Sequence, residues 1–373
     1  MSELPPKTLL GLSLQELTDV AEEVGQPSYR GRQLFEAIYG QRIQSAEQIS
    51  TLPQDFRAAL QRGFSVGAPR VDKKFVSADG TVRYLMEFAD GQSVETVWMP
   101  EGDDGEAGDG SEAGSDLAKP TGRPWNRTTI CVSSQVGCAV DCRFCLTALL
   151  GVKRNLTAGE IVGQICAVLN EQHVFPPHDR VNIVFMGMGE PFLNYENFIK
   201  ACRLLVEGVG IPESRMTVST AGIVPRIADL GAEPVRPKLA ISLNASNDEL
   251  RTRLMPINRK WNLEKIISVA RNFPLRTRER LTFEYVLLDG VNDSPQNARE
   301  LVELIRGIRA KINLIAWNPG PGIEFQTPAQ ERVLQFQRIL VDAGVPTYVR
   351  RPRGRDIYAA CGQLKHTVEL VVT

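Results

Sequence analysis

An α/β fold, with a parallel sheet and helices packed outside it, is the architecture this sequence predicts, and three observations predict it. From residue 128 onward, short β-rich runs recur at 128–132, 181–186, 216–219, 238–243, 281–288 and 312–317. Stretches with apolar residues at helical spacing, such as 158–171, 195–208, 263–272 and 295–310, lie between them. The alternation repeats six times, which points to β–α units sharing one sheet. The spacing admits either a doubly wound sheet or one curled into a partial barrel. In both, chemistry belongs at the carboxyl ends of the strands.

The segments ahead of this unit differ in period and composition. Residues 1–66 read as a small helical domain, with helices expected over 14–24, 29–39 and 46–60 and Gly or Pro breaks between them. Arg30, Arg32, Arg42, Arg57 and Arg62 stud this domain, as a solvated face or as an RNA-docking surface. Residues 67–99 form a β extension, in which Thr81-Val-Arg-Tyr-Leu-Met-Glu-Phe alternates and Ala89-Asp-Gly-Gln makes a turn. Residues 100–126, rich in Gly, Ser, Asp and Glu, cannot bury enough apolar surface to fold alone and read as a flexible insertion. The α/β unit covers 127–345, and 346–373 forms a carboxyl-terminal segment.

Composition narrows the class. A hydrophobic share of 43% and a charged share of 23% suit a soluble protein with a sizeable core. No apolar run approaches the ~20 residues that span a bilayer, and no basic stretch followed by an apolar run opens the chain. A cytoplasmic protein is expected. The formal net charge is −1, but the seven acidic residues within 101–118 have no basic partner there, which leaves +6 on the remainder. A mildly basic body permits an RNA partner.

Seven cysteines lie at 131, 138, 142, 145, 166, 202 and 361. An odd number with three clustered suits metal ligation or reactive thiols in a reducing compartment. Cys138-Ala-Val-Asp-Cys142-Arg-Phe-Cys145 follows the first expected strand directly. Soft thiolates on a short loop suit zinc or iron–sulfur. Only three ligands are close, and the chain holds just three histidines to complete a zinc tetrahedron. Three thiolates on a four-iron cluster leave one iron open for a substrate; structural zinc is the alternative. Cys166 and Cys202 fall on helical faces and read as core. Gly187-Met-Gly189-Glu190-Pro191 follows the second strand, where Gly allows close backbone approach and Glu190 offers an acceptor for an ammonium group.

The CxxxCxxC spacing resembles that of the radical S-adenosylmethionine (SAM) superfamily. The resemblance implies a [4Fe–4S] cluster on Cys138, Cys142 and Cys145, with SAM chelating the open iron and yielding a 5′-deoxyadenosyl radical. A longer set of motifs, Cys131-Val-Ser-Ser-Gln-Val-Gly-Cys138, Met186-Gly-Met-Gly-Glu-Pro, Val218-Ser-Thr-Ala-Gly, Ile241-Ser-Leu-Asn-Ala, Trp317-Asn-Pro and Ala359-Ala-Cys-Gly-Gln-Leu, resembles the dual-specificity rRNA/tRNA adenine-C2 methyltransferases. That resemblance spans almost the whole chain and implies a partial (β/α)6 TIM-like barrel. It implies a SAM site lined by Gly189, Glu190, Ser219, Ser242, Leu243, Asn244 and Asn318. It also implies an S-methylcysteine at Cys361, a resolving Cys131 that forms a transient disulfide with it, and Glu95 as proton acceptor. Two SAM molecules would serve each turnover. The implied substrates are A2503 of 23S rRNA and A37 of tRNA, with flavodoxin or ferredoxin as electron donor and a monomeric enzyme.

Two departures stand out: the acidic insertion is long for this family, and Asn244 occupies a position held by His in some members. Arg350, Arg351, Arg353 and Arg355 precede Cys361 and read as a phosphate clamp or a solvated loop. Two other readings remain open. One is a relative that methylates carbon 8 of the same rRNA adenine; the other is a non-catalytic RNA-binding protein with a structural metal.

Overall fold

The computed structural model describes residues 6–100 and 127–365, so the acidic stretch 101–118 lies outside the described residues. At the amino-terminal end, a parallel pair of β1 (Lys7–Thr8) and β2 (Phe64–Ser65) closes around α1 (Leu14–Glu23), α2 (Tyr29–Phe35) and α3 (Gln54–Gly63). Helix α1 begins on a capping box: the Ser13 hydroxyl accepts from the Glu16 N–H, and the Glu16 carboxylate accepts from the Ser13 N–H. The helix expected over 46–60 is interrupted. Ala46–Gln48 makes one 3-10 turn and Pro53 then starts α3, because proline lacks the N–H that a helix interior needs. Arg42, expected on a surface, is buried and donates to the Asn170 side chain and the Val174 carbonyl. It is a structural tie between this unit and the α/β body.

A single ten-stranded sheet organises the rest. β3 (Arg70–Val76), β4 (Val82–Glu87) and β5 (Ser93–Pro100) form an antiparallel meander, and β5 pairs antiparallel with β6 (Thr128–Cys131). A separate hairpin, β7 (Gln135–Gly137) with β8 (Val152–Asn155), follows β6. The parallel portion then continues through β9 (Val181–Phe185), β10 (Met216–Thr220), β11 (Lys238–Ser242), β12 (Leu281–Leu287), β13 (Ala310–Ala316) and β14 (Thr347–Arg350). The six anticipated strands are all present, and β14 adds a seventh to the parallel set among the described residues.

Helices α4 (Ala158–Glu171), α5 (Tyr195–Leu204), α6 (Val224–Ala232), α7 (Asp248–Leu254), α8 (Leu263–Arg271), α9 (Pro295–Leu304) and α10 (Gln330–Asp342) fill the crossovers. Thr157 and Glu160 form a second capping box at α4, whose apolar residues are buried along its whole length. Gly159 lets the Leu10 carbonyl approach α4 closely; any side chain there would collide with that backbone.

Strand alternation separates two environments. On β9, Val181, Ile183 and Phe185 are buried, whereas Asn182 and Val184 are half-buried and line a cavity. Thr129, Thr217, Lys238, Glu284, Ile315 and Arg350, drawn from six other parallel strands, line that same cavity of about 340 Å3. A flat sheet cannot bring its first and seventh parallel strands to one space, so the sheet curls. The curled alternative, a partial barrel, is the one the protein adopts.

Candidate active site

The β7–β8 hairpin presents the three-cysteine loop beyond the carboxyl end of β6. Gly137 has φ +80°, and a side chain there would strike the Gly151 carbonyl, which accepts the Cys138 N–H at 3.0 Å. The Arg143 N–H donates to the Leu254 carbonyl at 2.9 Å, and the Trp317 indole donates to the Phe144 carbonyl at 2.9 Å. Phe144 is buried with Val140, Leu254, Met255 and Trp317, and the three cysteines pack against this group. The loop aromatic thus anchors the ligand loop.

A second cavity, about 160 Å3, is bordered by Cys138, Cys142, Cys145, Glu190, Ser219 and Ser242. Gly189, at φ +99°, also borders it, and a Cβ there would lie 2.6 Å from the Gln135 Cβ. The Glu190 carboxylate accepts from the Phe192 N–H at 3.0 Å and the Ala221 N–H at 2.6 Å. Burial nevertheless raises its pKa to about 7. The Ser219 hydroxyl donates to Glu284 at 2.9 Å and lies 3.3 Å from the Ser242 hydroxyl. Asn244, with φ +56°, borders the cavity, but its amide oxygen accepts from the Val286 N–H at 2.8 Å. Leu243 is fully buried and borders neither cavity. Asn318 borders both; its Nδ2 donates to the Cys361 carbonyl at 3.4 Å, while its Oδ1 is buried with no hydrogen-bond partner among the described residues.

Cys131 and Cys361 meet in the larger cavity. Cys131 ends β6 and is buried, which pushes its thiol far up, with Cys361 and Glu284 adding to the shift. Cys361 is exposed, but the surface it exposes faces the cavity, and burial among the surrounding groups pushes its thiol up to about 11. Its loop is stitched to the ligand loop by Leu146 N–H to Gly362 carbonyl (2.8 Å) and Thr147 hydroxyl to Leu364 carbonyl (2.7 Å). On the other side, the Gly354 N–H donates to Asp79 at 3.0 Å and the Ser77 hydroxyl donates to Asp356 at 2.6 Å.

Glu95 is placed differently. It shares a sheet face with Cys131, because Val97 pairs with Cys131 and Glu95 lies two residues along β5. It is buried in an ion pair with Arg83 and borders neither cavity. Cys166 and Cys202 are buried in the core, as expected. Sequence reasoning passed over two residues of this region. Arg251 is fully buried and donates to the Ala221, Ser242 and Leu243 carbonyls at 2.6, 3.0 and 3.1 Å, tying the ends of β10 and β11. Glu284 sits at the junction of the two cavities; its signal was a carboxylate amid the apolar run Leu281–Leu287.

Comparison with known proteins now adds to the geometry. Residues 132–302 match the Radical SAM superfamily model. The chain is 66% identical to a probable dual-specificity RNA methyltransferase RlmN of Koribacter versatilis, covering 94% of this chain and 99% of that protein. It is 45% identical to the dual-specificity RNA methyltransferase RlmN of Syntrophobacter fumaroxidans, covering 97% and 98%. The crystal structure of a radical SAM methyltransferase from Sphaerobacter thermophilus superposes with a TM-score of 0.86 at 42% identity, covering 96% and 99%.

The chain belongs to the dual-specificity RNA methyltransferase (RlmN) family. It is a radical SAM enzyme, and that superfamily implies SAM and a [4Fe–4S] cluster. The residues of this RlmN family member fit both. Cys138, Cys142 and Cys145 come from one short loop and border one cavity, a soft-thiolate donor set of the kind that holds iron–sulfur clusters. Burial pushes Cys138 up to about 12 and Cys142 well above its usual range, and the neighbouring cysteines add to both shifts. Thiols raised in this way need a cationic partner before they ionise as ligands. The Asn318 Oδ1, without a hydrogen-bond partner among the described residues, and the Glu190 carboxylate would offer acceptors to the hydroxyl and ammonium groups of SAM.

Proposed function

We propose that this protein methylates carbon 2 of adenine in 23S rRNA, and the corresponding position of an adenine beside the tRNA anticodon. The observation that carries the reading is the convergence of Cys131 and Cys361 in one cavity that adjoins the three-cysteine loop. Carbon 2 of adenine is electrophilic and cannot displace the methyl group of SAM, so a carrier is required. When bound, SAM and the cluster supply a methyl group and the radical chemistry that activates it. Two SAM molecules serve each turnover.

Cys361 accepts the methyl group and carries it to the base, which joins enzyme and RNA covalently. Cys131 attacks the Cys361 sulfur and forms a disulfide as the methylated base leaves, and cellular thiols then reduce the pair. Glu190, Ser219, Ser242, Asn244 and Asn318 hold SAM through side chains, with Gly189 and Leu243 contributing backbone alone. Glu95 serves as proton acceptor for the base if its pair with Arg83 opens toward the cavity. The target adenine leaves its stack to reach Cys361. Arg127, Arg215, Lys238, Arg350, Arg351 and Arg353, which line the larger cavity, hold flanking phosphates. The enzyme works as a monomer in the cytoplasm, where thiols stay reduced, and takes electrons from flavodoxin or ferredoxin. Among the described residues no helix is long and apolar enough to cross a membrane.

Mass mapping of rRNA from a strain lacking the gene tests this. Loss of 2-methyladenine, restored by the gene, is the expected result. A mark that survives the deletion, or a methyl group on carbon 8, overturns it. A non-catalytic metal protein would show no SAM cleavage after anaerobic cluster reconstitution and reduction.

A further inference from the structure

We propose that Glu284 accepts the proton of the Cys131 thiol as the Cys131 sulfur attacks that of Cys361. The inference rests on the reading of Cys131 as the resolving thiol and supplies the base which that reading leaves unnamed.

Position comes first. Glu284 lies on the inner face of β12, between Phe283 and Tyr285, which are buried on the helix side of the sheet. It borders both cavities, and shares the larger one with both Cys131 and Cys361. Among the residues bordering the two cavities, the carboxylates are Glu190 and Glu284, and no histidine is present. Glu190 borders only the smaller cavity, which Cys131 does not reach, and each of its oxygens already accepts a backbone N–H. Glu284 is the carboxylate that shares a wall with both thiols.

Its surroundings suit a group that must hold and pass a proton. Ser219 on β10 donates to one of its oxygens at 2.9 Å, with Ser242 of β11 behind that hydroxyl. Asn313 and Lys311 face it from β13, Arg350 from β14, Cys131 from β6 and Cys361 from the carboxyl-terminal loop. Burial raises the carboxyl, while Ser219, Arg350, Lys311 and Asn313 restrain the rise. A carboxylate whose proton affinity is raised is a stronger base than a free one.

The step balances without an outside oxidant. The Cys131 S–H bond breaks and its proton moves to Glu284. The Cys131 and Cys361 sulfurs join, and the bond from Cys361 sulfur to the transferred carbon breaks. The carbon keeps that electron pair and takes a proton to become the methyl group. Two sulfurs are oxidised to a disulfide while the carbon is reduced.

The test uses the purified holoenzyme and 4,4′-dithiodipyridine, without SAM or RNA. Exposed Cys361 reacts first and releases one thiopyridone; Cys131 then displaces the second and closes the protein disulfide, both assigned by peptide mass mapping. Glu284→Gln is expected to slow the second release about tenfold or more at pH 7 and to flatten its pH profile, while the first release, from a Cys361 thiol that Glu284 also holds up, is not slowed. Glu284→Asp is expected to restore part of the rate. A second release in Glu284→Gln as fast as wild type, or faster, overturns the proposal. Faster release is what loss of a neighbouring negative charge alone would cause, since Cys131 would then ionise more readily. If wild-type protein shows no second release and no Cys131–Cys361 disulfide, the resolving role itself is wrong and the proposal falls with it.

Discussion

A deeply buried thiol is slow to ionise and slow to oxidise by accident, and Cys131 is such a thiol. Its reactivity depends on a neighbouring base that can take its proton. Cys131→Ala is therefore expected to leave protein covalently joined to RNA after a single turnover, visible as a shifted band on a denaturing gel; Cys361→Ala should give neither adduct nor product. Free product from Cys131→Ala at the wild-type rate would remove the resolving role. Lys311 shows the opposite cost. Its Nζ is buried with no hydrogen-bond partner, and burial, with Arg350 and Lys238 adding, lowers its pKa to about 7. The unfolded chain then binds more protons than the folded one from about pH 7 up to the usual lysine range, so this site favours folding more as pH rises through that window. Lys311→Met should raise the unfolding midpoint at pH 6 and do so less at pH 10; an equal gain at both would refute the assignment. The three-cysteine loop was legible in the sequence because its residues lie close together at a fixed spacing. Glu284 and Lys311 were not, since their inward aim depends on how the sheet curls.

The loop that carries Cys361 depends on distant turns for its shape. Asp79, in the β3–β4 turn, accepts from Gly354 at 3.0 Å and from the Thr81 N–H at 2.9 Å, and Asp356 returns the contact through Ser77. Gly354 and Tyr358 both take left-handed backbone conformations within this clamp. Asp79→Ala should cost about 1–3 kcal/mol of stability for the lost charge-assisted bonds. It should also speed hydrogen exchange across 354–364, read by mass spectrometry; exchange unchanged there would show that the turn is not what shapes the loop. None of this was legible in the sequence, since the partners lie 275 residues apart. The elements that escaped notice were short: β14 and the β7–β8 hairpin have three or four residues per strand, too few to show a period. Pro53 was visible, and the break it makes in the 46–60 helix was there to be read.

Across the whole molecule, the curl of the sheet converts scattered charges into one cationic wall. Arg127 precedes β6, Lys238 begins β11 and Arg350 ends β14, yet all three line the same cavity. If RNA phosphates pass along it, Arg351→Ala and Arg353→Ala should each lower the slope of log affinity against log salt by about 0.7–0.9. Fluorescence anisotropy with tRNA would measure this, and unchanged slopes would place the phosphates elsewhere. The fold class and strand order were legible from the repeated β–α alternation, but the choice between a flat and a curled sheet was not, because periodicity carries no curvature. From β9 to β14 each strand lies beside its predecessor in the chain. The sheet can thus be laid down in the order of synthesis, and the strand leading to Cys361 is the last of the described strands to dock. A half-made chain would present the three-cysteine loop before the loop that holds Cys361, so the two walls of the cavity come together only once synthesis has passed β14.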